Sequence, residues 1–379
     1  MKFLHTSDLH IGKKIFECTL YEDQKAMLSE IRRIALEREV DALVIAGDVY
    51  DRSLPSTEAV ELLDAFLTDF VKDEIPVIMI SGNHDSPERL GFGAGIMEKQ
   101  GLYIGAVYDG SLRRVSLQNG DKETVFLCLP FVKPGVVGKN SCQDAVAEIL
   151  ARENIDLHDG KQYVLVTHYF VTGETGQMPE LSDSETGVDV GGIDNVTADV
   201  FQGFTYVALG HIHKSQKVGV GEVHYCGTPM KYSFSEASHI KTVNLVEIRE
   251  DGSVSVEKEV IKPYREMRVI KGELQQLIAP EVVNAEGVSC EDYIQAVLTD
   301  KDALIDPIGT LRSVYPNVLQ IVLEKNYRVD EERYSSSFGG QQKSIQELFG
   351  EFFYMLVGEQ LSEVQAAAVD AAAGEAGES

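Results

Sequence analysis

Five short apolar segments of this chain each run into residue types that bind metal ions. The segments are 3–7, 43–47, 77–82, 163–167 and 206–210. Short apolar runs bounded by glycine and polar residues are typical of buried parallel strands, and ligands bind at the carboxyl ends of such strands. We therefore expect the side chains that follow these segments to converge on one edge of a sheet. Those side chains are Asp8, His10, Asp48, Asn83, His84, Asp85, His168, His211 and His213.

The donor set combines carboxylates, imidazoles and one amide, without a thiolate. Such donors suit Mn, Fe, Zn or Mg better than a structural zinc or an iron–sulfur cluster. Two cations about 3.5–4 Å apart need a bridging carboxylate, and Asp48, which follows a central strand, is the expected bridge. Ions so placed bind phosphate oxygens and lower the pKa of a water between them, so the pattern indicates phosphoester hydrolysis.

His84 is the candidate general acid of this site. We expect Asn83 to coordinate through its amide oxygen while the imidazole faces the leaving group, with Asp85 holding the ring. Asp51 has two interpretations, as a support of the site or as the cap of the following helix. Arg52 either contacts phosphate or pairs with Asp51.

The motifs, in this order, resemble those of the calcineurin-like metallophosphoesterases. They are DLH at 8–10, GDVYD at 47–51, GNHD at 82–85, TH at 167–168 and GHIH at 210–213. The resemblance covers about residues 1–260 and leaves no ligand missing. It implies one metal bound by Asp8, His10, Asp48 and His213, and a second bound by Asp48, Asn83, His168 and His211.

Length and composition indicate the number of structural units, the lack of a membrane span and the redox state of the cysteines. With 379 residues the chain should form two or three units. It has neither an apolar run of about 18 residues nor a signal peptide, so we expect no membrane span. Five cysteines without pair spacing indicate free thiols and a cytoplasmic location.

The net charge of −27 argues against broad nonspecific DNA binding by the bare chain. Three basic residues in predicted loops are nevertheless candidates for phosphate contacts. They are Lys13, Arg52 and Arg89, and the alternative for each is solvated surface charge.

The order of predicted elements indicates an α/β fold, a four-layer αββα sandwich over residues 1–262. Helices are predicted at 22–38 and at 57–72, the latter with Val60, Leu63, Leu67 and Phe70 on its buried face. A hairpin turns at Asn119-Gly120. Together with strands in 217–226 and 242–260, it predicts a second, more antiparallel sheet packed on the first.

The last third of the chain predicts a small α/β capping domain and a helical tail. Residues 263–330 have the order strand, helix, strand, helix, strand, and 331–343 form a linker. Helices at 344–365 either fold back on the core or, as we favour, dock a partner, and 366–379 are expected to be disordered. The partner-binding side chains would be Leu348, Phe349, Phe352, Met355 and Leu356.

Longer motifs narrow the resemblance to bacterial nuclease subunits that work with an SMC-like ATPase. They are HTSDLHIGK at 5–13, AGDVYDR at 46–52, GNHDSPERL at 82–90, GTPMKYSFSE at 227–236, ELFGEFF at 347–353 and GEQLSE at 358–363. The resemblance implies a Mn²⁺-dependent exonuclease on double-stranded DNA that also cuts hairpins or single strands. It further implies a homodimer within a heterotetramer, with 57–72 and 86–100 as the expected dimer regions.

Two other functions are possible on the same pattern. One is a small-molecule phosphodiesterase or protein phosphatase, against which Asp85 and the C-terminal third count. The other is a non-catalytic binding scaffold, against which the intact ligand set counts.

Overall fold

The computed structural model describes residues 1–173, 176–183, 195–285, 287–300, 302 and 304–324, with a few positions between 349 and 369. The chain divides into two compact units, which we describe separately. The first contains Met1–Arg268 and Glu291–Tyr293, and the second contains Val269–Cys290 and Ile294–Ser379.

Most of the predicted C-terminal elements lie outside the described residues. This holds for the linker at 331–343 and for nearly all of the helices at 344–365 and the tail at 366–379. Of the proposed partner-binding side chains, Phe349 is described and exposed. The other four, Leu348, Phe352, Met355 and Leu356, lie outside the described residues.

The described residues form nineteen strands and eight α-helices. The strands are β1 (Lys2–Thr6), β2 (Lys14–Ile15), β3 (Cys18–Thr19), β4 (Ala42–Ala46), β5 (Val77–Ile80), β6 (Leu102–Gly105), β7 (Arg113–Asn119), β8 (Lys122–Leu129), β9 (Gln162–His168), β10 (Phe170–Thr172), β11 (Asn195–Thr197), β12 (Tyr206–Gly210), β13 (Gln216–Lys217), β14 (Val223–Tyr225), β15 (Thr242–Ile248), β16 (Val254–Val260), β17 (Met267–Gly272), β18 (Tyr293–Leu298) and β19 (Val318–Leu323). The helices are α1 (Tyr21–Glu37), α2 (Thr57–Lys72), α3 (Pro87–Leu90), α4 (Ala94–Met97), α5 (Cys142–Glu153), α6 (Leu274–Leu277), α7 (Pro280–Val283) and α8 (Pro307–Arg312). Within this part of the chain, no helix has the length and apolar character needed to cross a membrane.

The first sheet has six strands in the order β16-β15-β1-β4-β5-β6. Strands β1, β4, β5 and β6 run parallel, as expected for βα units, whereas β15 and β16 are antiparallel additions at one edge. Strand β4 therefore lies between β1 and β5, which places the residue that follows it, Asp48, between the residues that follow its neighbours.

The second sheet has the order β13-β14-β12-β9-β8-β7. The expectation that it is the more antiparallel sheet is wrong, because each sheet contains three parallel and two antiparallel pairs. The hairpin at Asn119-Gly120 is confirmed as β7 and β8. The strands of 242–260 instead join the first sheet, since β15 pairs with β1. A hairpin pattern specifies its own pairing but not the sheet that it extends.

Alternation along β4 shows how the layers pack. Leu43 and Ile45 belong to the apolar layer that α1 and α2 cover, whereas Val44 belongs to the layer between the sheets. In that inner layer Phe3 packs edge-on against Phe126, with ring centroids 5.3 Å apart. Helix α5 covers the outer face of the second sheet. The predicted four-layer αββα sandwich is confirmed.

The apolar face of α2 differs from the prediction at one position. Leu63, Leu67 and Phe70 are buried as predicted, but Val60 is 44% exposed. The buried stripe runs through Ala59 instead, which is one residue earlier and therefore about 100° around the helix.

The second unit contains the three-stranded sheet β17-β18-β19. The predicted order of three strands and two helices is confirmed, with the short helix α7 in addition. Its apolar core includes Leu274, Ile294, Leu311 and Tyr315. Among the described residues, the groups with the composition and spacing of a metal site all lie in the first unit.

Candidate metal centre

The predicted ligands lie where the parallel strands of both sheets end. Asp8, Asp48 and Asn83 follow β1, β4 and β5 of the first sheet. His168 is the last residue of β9, and His211 follows β12, in the second sheet. Three overlapping groups have ligand atoms within 4.8 Å of one another: Asp8, His10 and His213; Asp8, Asp48 and His168; and His10, Asp48 and His84.

Several of these residues have strained backbone conformations. The φ angles are +53° at Asp8, +43° at His10, +49° at Asp48 and +101° at His211. Such conformations cost about 1–3 kcal/mol each for residues other than glycine and persist only where the surroundings hold them. Here the amide of His10 donates to the Asp48 carbonyl at 3.0 Å, and the amide of His211 donates to the Asp8 carboxylate at 3.0 Å. Four of the ten described non-glycine residues with positive φ thus lie at the turns that carry the predicted ligands.

One half of the centre is formed by Asp8, His10 and His213. All three are buried, and Nε2 of His10 lies 3.3 Å from Nε2 of His213. Asp8 and His10 follow β1 of the first sheet, and His213 follows β12 of the second sheet. This half of the centre therefore forms only when the two sheets pack together.

The other half is formed by Asn83, His168 and His211. Oδ1 of Asn83 lies 3.1 Å from Nε2 of His168 and 3.0 Å from Nδ1 of His211. Oδ2 of Asp48 lies 3.3 Å from Nε2 of His168 and 4.0 Å from Nε2 of His10, which belongs to the first half. Asp48 therefore has the position expected of a bridging carboxylate.

Burial and charge act against each other in this centre. Burial alone lowers the pKa of His168, but the charge and hydrogen bond of Asp48 outweigh it and raise that pKa to about 9. Burial alone raises the pKa of Asp48, yet His168 holds it well below its usual range. Burial lowers the pKa of His211 to about 3 and raises that of Asp8. His168 and Asp48 thus attract each other electrostatically in the buried centre.

The residues present fit a pair of divalent cations. Nδ1 of His10 points away from the centre and lies 3.8 Å from Oδ1 of Asp51. Its Nε2 faces a second imidazole nitrogen, and the carboxylates of Asp8 and Asp48 are buried beside it. Imidazole nitrogens and carboxylate oxygens that converge in a buried site are the ligand types that divalent cations bind.

His84 stands at the exposed side of the centre. Its side chain is 41% exposed, and Nε2 lies 3.9 Å from Oδ2 of Asp48. Its Nδ1 donates to the carbonyl oxygen of Asp51 at 2.9 Å, which fixes the ring and leaves Nε2 facing the centre. This is the placement that a general acid requires.

Asp85 does not hold the His84 ring, and this part of the prediction is wrong. Its carboxylate accepts hydrogen bonds from the amides of Val49, Tyr50 and Gly82 at 2.9–3.1 Å. Burial and the nearby Asp48 raise its pKa to about 6. The acid joins the loops after β4 and β5, and a backbone carbonyl orients the imidazole instead.

Asp51 supports the site and does not cap a helix. Helix α2 begins later and is capped by Ser56, whose side chain accepts from the Ala59 amide. The Asp51 carboxylate lies 2.8 Å from Nζ of Lys13 and 3.6 Å from Nε of Arg52. Arg52 is 81% exposed, and Arg89, on α3, is exposed as well.

Sequence reasoning missed several residues that support the ligand loops. Nε2 of Gln24 donates to the His10 carbonyl at 2.7 Å, and the Tyr232 hydroxyl donates to the Leu9 carbonyl. Glu236 and Lys241 lie behind His213. Tyr232 and Glu236 belong to GTPMKYSFSE, so the motif signalled their importance, but nothing in its spacing indicated their contacts.

Comparison with known proteins agrees with this geometry. Residues 1–215 match the family described as calcineurin-like phosphoesterase, and residues 263–355 match the type 5 capsule protein repressor C-terminal domain. The family match over residues 1–215, together with the αββα sandwich, defines the class: the chain is a metallophosphoesterase, a metal-dependent phosphodiesterase.

A curated relative identifies the family within this class. The SbcD component of the SbcCD nuclease of Staphylococcus epidermidis is 30% identical over 378 residues, which cover 96% of both chains. The chain therefore belongs to the SbcD family of nuclease subunits within the calcineurin-like phosphoesterases.

Two solved structures align with lower similarity. The protein TT1561 of Thermus thermophilus is 11% identical, with a TM-score of 0.39, over 68% of this chain and 98% of its own. The E. coli phosphoesterase YfcE is 12% identical, with a TM-score of 0.28, over 69% of this chain and all of its own. At these scores neither alignment bears on function.

Proposed function

We propose that this chain is a Mn²⁺-dependent nuclease that degrades double-stranded DNA from its ends and cuts hairpins or single strands. It would act in the cytoplasm with an SbcC-type SMC-like ATPase, as a homodimer within a heterotetramer, in DNA end processing and repair. The observation that carries the proposal is the convergence of Asp8, His10, Asp48, His168 and His213 on one edge of the sandwich.

The residues divide the chemistry among themselves. Asp8, His10, Asp48 and His213 would hold one ion, and Asp48, Asn83, His168 and His211 the other. When bound, such ions supply Lewis acidity and an activated water. His84 would donate a proton from Nε2 to the leaving oxygen, because Nδ1 is already committed to the Asp51 carbonyl. Lys13, Arg52 and Arg89 are the proposed contacts to the DNA phosphates.

Cleavage of end-labelled linear duplex DNA in the presence of Mn²⁺ tests the proposal. We compare the wild type with His84→Gln, and with His158→Gln as a matched control at an exposed histidine outside the centre. His84→Gln should bind Mn²⁺ normally and cleave about 10²–10⁴-fold more slowly, because a positioned general acid contributes that much to the rate. The control should cleave like the wild type.

The outcomes separate the candidate functions. Cleavage that needs Mn²⁺ and His84 supports the nuclease, whereas full activity of His84→Gln contradicts the general-acid role. If duplex DNA stays intact even with the ATPase added, while a small phosphodiester is hydrolysed, the proposed substrate is wrong and a small-molecule phosphodiesterase remains.

A further inference from the structure

Glu236 lies directly behind the candidate ligand His213 and faces its second ring nitrogen. Nε2 of His213 faces Nε2 of His10 inside the centre, 3.3 Å away. Nδ1, on the other side of the ring, lies 3.5 Å from Oε1 of Glu236. Glu236 is fully buried and His213 is 4% exposed. The two nitrogens of one imidazole thus face a metal centre and a carboxylate.

Lys241 holds this carboxylate from the opposite side. Its Nζ lies 2.5 Å from Oε2 of Glu236, and it also donates to Oγ1 of Thr228 at 2.8 Å and to the His213 carbonyl at 3.0 Å. Lys241 is itself buried. Losing one member of a buried ion pair costs far more than the pair gains, so the pair stays intact in the folded chain. The carboxylate is therefore an anion fixed in orientation toward His213.

Two other rings of the site are held by neutral groups. Nδ1 of His168 donates to the Ala46 carbonyl at 2.7 Å, and Nδ1 of His84 donates to the Asp51 carbonyl. A carbonyl fixes the orientation of a ring. A carboxylate does this too, and it also makes the opposite nitrogen a stronger electron donor, so the affinity of that nitrogen for a metal ion rises.

We propose that Glu236, anchored by Lys241, is a positioning residue for the metal centre. It accepts a hydrogen bond from Nδ1–H of His213 and so keeps Nε2 directed at the ion. This inference rests on the proposed function, because it takes His213 as a metal ligand. Glu236 would act only through His213, so its effect is expected in metal affinity first.

Titration with Mn²⁺, followed by the EPR signal of the free ion, tests this role without any substrate. Glu236→Gln should bind Mn²⁺ about 10- to 100-fold more weakly at the affected site, the usual loss for such a supporting group. Glu222→Gln is the matched control. Glu222 also pairs with a histidine, since its Oε2 lies 2.8 Å from Nε2 of His224, but this pair is not part of the candidate centre. That variant should bind Mn²⁺ like the wild type.

A second variant separates positioning from folding. Glu236→Gln leaves Lys241 without its buried acid, which destabilises the fold for a reason unrelated to the metal. Glu236→Gln combined with Lys241→Met removes both charges, so thermal stability should recover while Mn²⁺ affinity stays low. If this double variant binds Mn²⁺ as tightly as the wild type, the positioning role is excluded.

Activity at saturating Mn²⁺ gives a further readout. Glu236→Gln should regain most of its kcat when excess Mn²⁺ fills the site, since the reacting groups are unchanged. A variant that is saturated with Mn²⁺ and still inactive would contradict a role exerted through metal affinity.

His213→Ala distinguishes failure of this inference from failure of the proposed function. A wild type that binds no Mn²⁺, or a His213→Ala variant that binds it normally, would overturn the metal centre itself. Tight binding by the wild type, weak binding by His213→Ala and normal binding by Glu236→Gln would overturn only the role of Glu236.

Discussion

His84 and Asp85 are neighbours in the sequence and have different structural roles. One faces the open side of the centre, and the other is buried among the backbone amides of two loops. The chain bends at residues 83–85, so adjacency in GNHD does not imply contact between the two side chains. The carbonyl of Asp51 takes the place predicted for the Asp85 carboxylate.

Replacement of Asp85 by asparagine should destabilise the fold. The amide group offers one acceptor oxygen, whereas the two carboxylate oxygens together accept from Val49, Tyr50 and Gly82. Each buried amide left without an acceptor costs about 1–3 kcal/mol, so urea denaturation should show a loss of at least that size. Glu88→Gln, at an exposed position on α3, is the control. Equal stability of the two variants would mean that the loops do not depend on this acid.

His5 should make the stability of the domain sensitive to acid. It is completely buried, with Nδ1 3.0 Å from the Tyr206 hydroxyl and Nε2 3.2 Å from the Leu209 carbonyl, so both nitrogens are satisfied in the neutral ring. Burial lowers its pKa from 6.5 to about 3. The unfolded chain therefore binds one more proton than the folded chain between these values, and stability falls as the pH falls below about 6.5.

Denaturation at several pH values checks this sign. The wild type should lose up to about 1.4 kcal/mol per pH unit more than His5→Gln, which keeps a donor and an acceptor but does not titrate. His158→Gln, at an exposed position, should follow the wild type. Parallel curves for all three proteins would show that His5 is not the sensitive group.

Strand ends of the two sheets approach each other so closely that glycine is required there. A Cβ at Gly210, the last residue of β12, would overlap the carbonyl oxygen of Ala46 at the end of β4 and would lie 2.6 Å from Nδ1 of His168. A Cβ at Gly82 would overlap the Asp48 carboxylate. Gly210 therefore sets the distance between the two sheets at the site, and Gly82 sets how closely the loop after β5 approaches Asp48.

Gly210→Ala should consequently weaken both the fold and the metal site. Overpacking of this kind costs about 1–3 kcal/mol, and the strand can relieve it only by moving His168 or β4. Calorimetry and Mn²⁺ titration should both show a loss. Gly95→Ala is the matched control, because a Cβ there meets nothing within 4 Å on helix α4, and it should be neutral or stabilising by up to about 1 kcal/mol. Normal Mn²⁺ binding by Gly210→Ala would show that the metal site does not depend on the close approach of β12 to β4.

At the scale of the whole molecule, the net charge of −27 opposes binding of the proposed DNA substrate, so the proposal requires basic surface from another protein. The ATPase proposed as a partner would supply basic surface, and the predicted helices at 344–365 would attach it. Phe352→Asp with Met355→Asp should therefore abolish co-purification with the ATPase and leave Mn²⁺ binding unchanged. Gln346→Asp, which changes a polar residue within 344–365 and leaves the five proposed partner-binding side chains intact, should still co-purify. Retention of the ATPase by the double variant would place its binding surface elsewhere.

Local patterns predicted most of this fold, whereas contacts between distant segments explain the misplaced strands and the missed support of His213. The candidate ligand residues could be brought together from the sequence because each comes after an apolar strand, and parallel strands end at a common edge. Glu236 follows His213 by 23 residues, and no local rule brings its carboxylate to Nδ1. The placement of β15 beside β1 likewise depends on a partner some 240 residues away. The exposure of Val60 shows that a helix whose position in the sequence is predicted correctly can still be rotated by one residue relative to the core.

The pairing of β1 with β15 also constrains the order in which the chain can fold on the ribosome. The first sheet joins residues 2 and 247, so it cannot be completed until almost all of the first unit has been synthesised. At about 5–20 residues per second, synthesis of the chain from residue 2 to residue 247 takes about 12–50 s. During it, β1 has only β4 beside it, and every strand of the second sheet emerges before β15 does. All the candidate metal ligands, from Asp8 to His213, are likewise synthesised before β15.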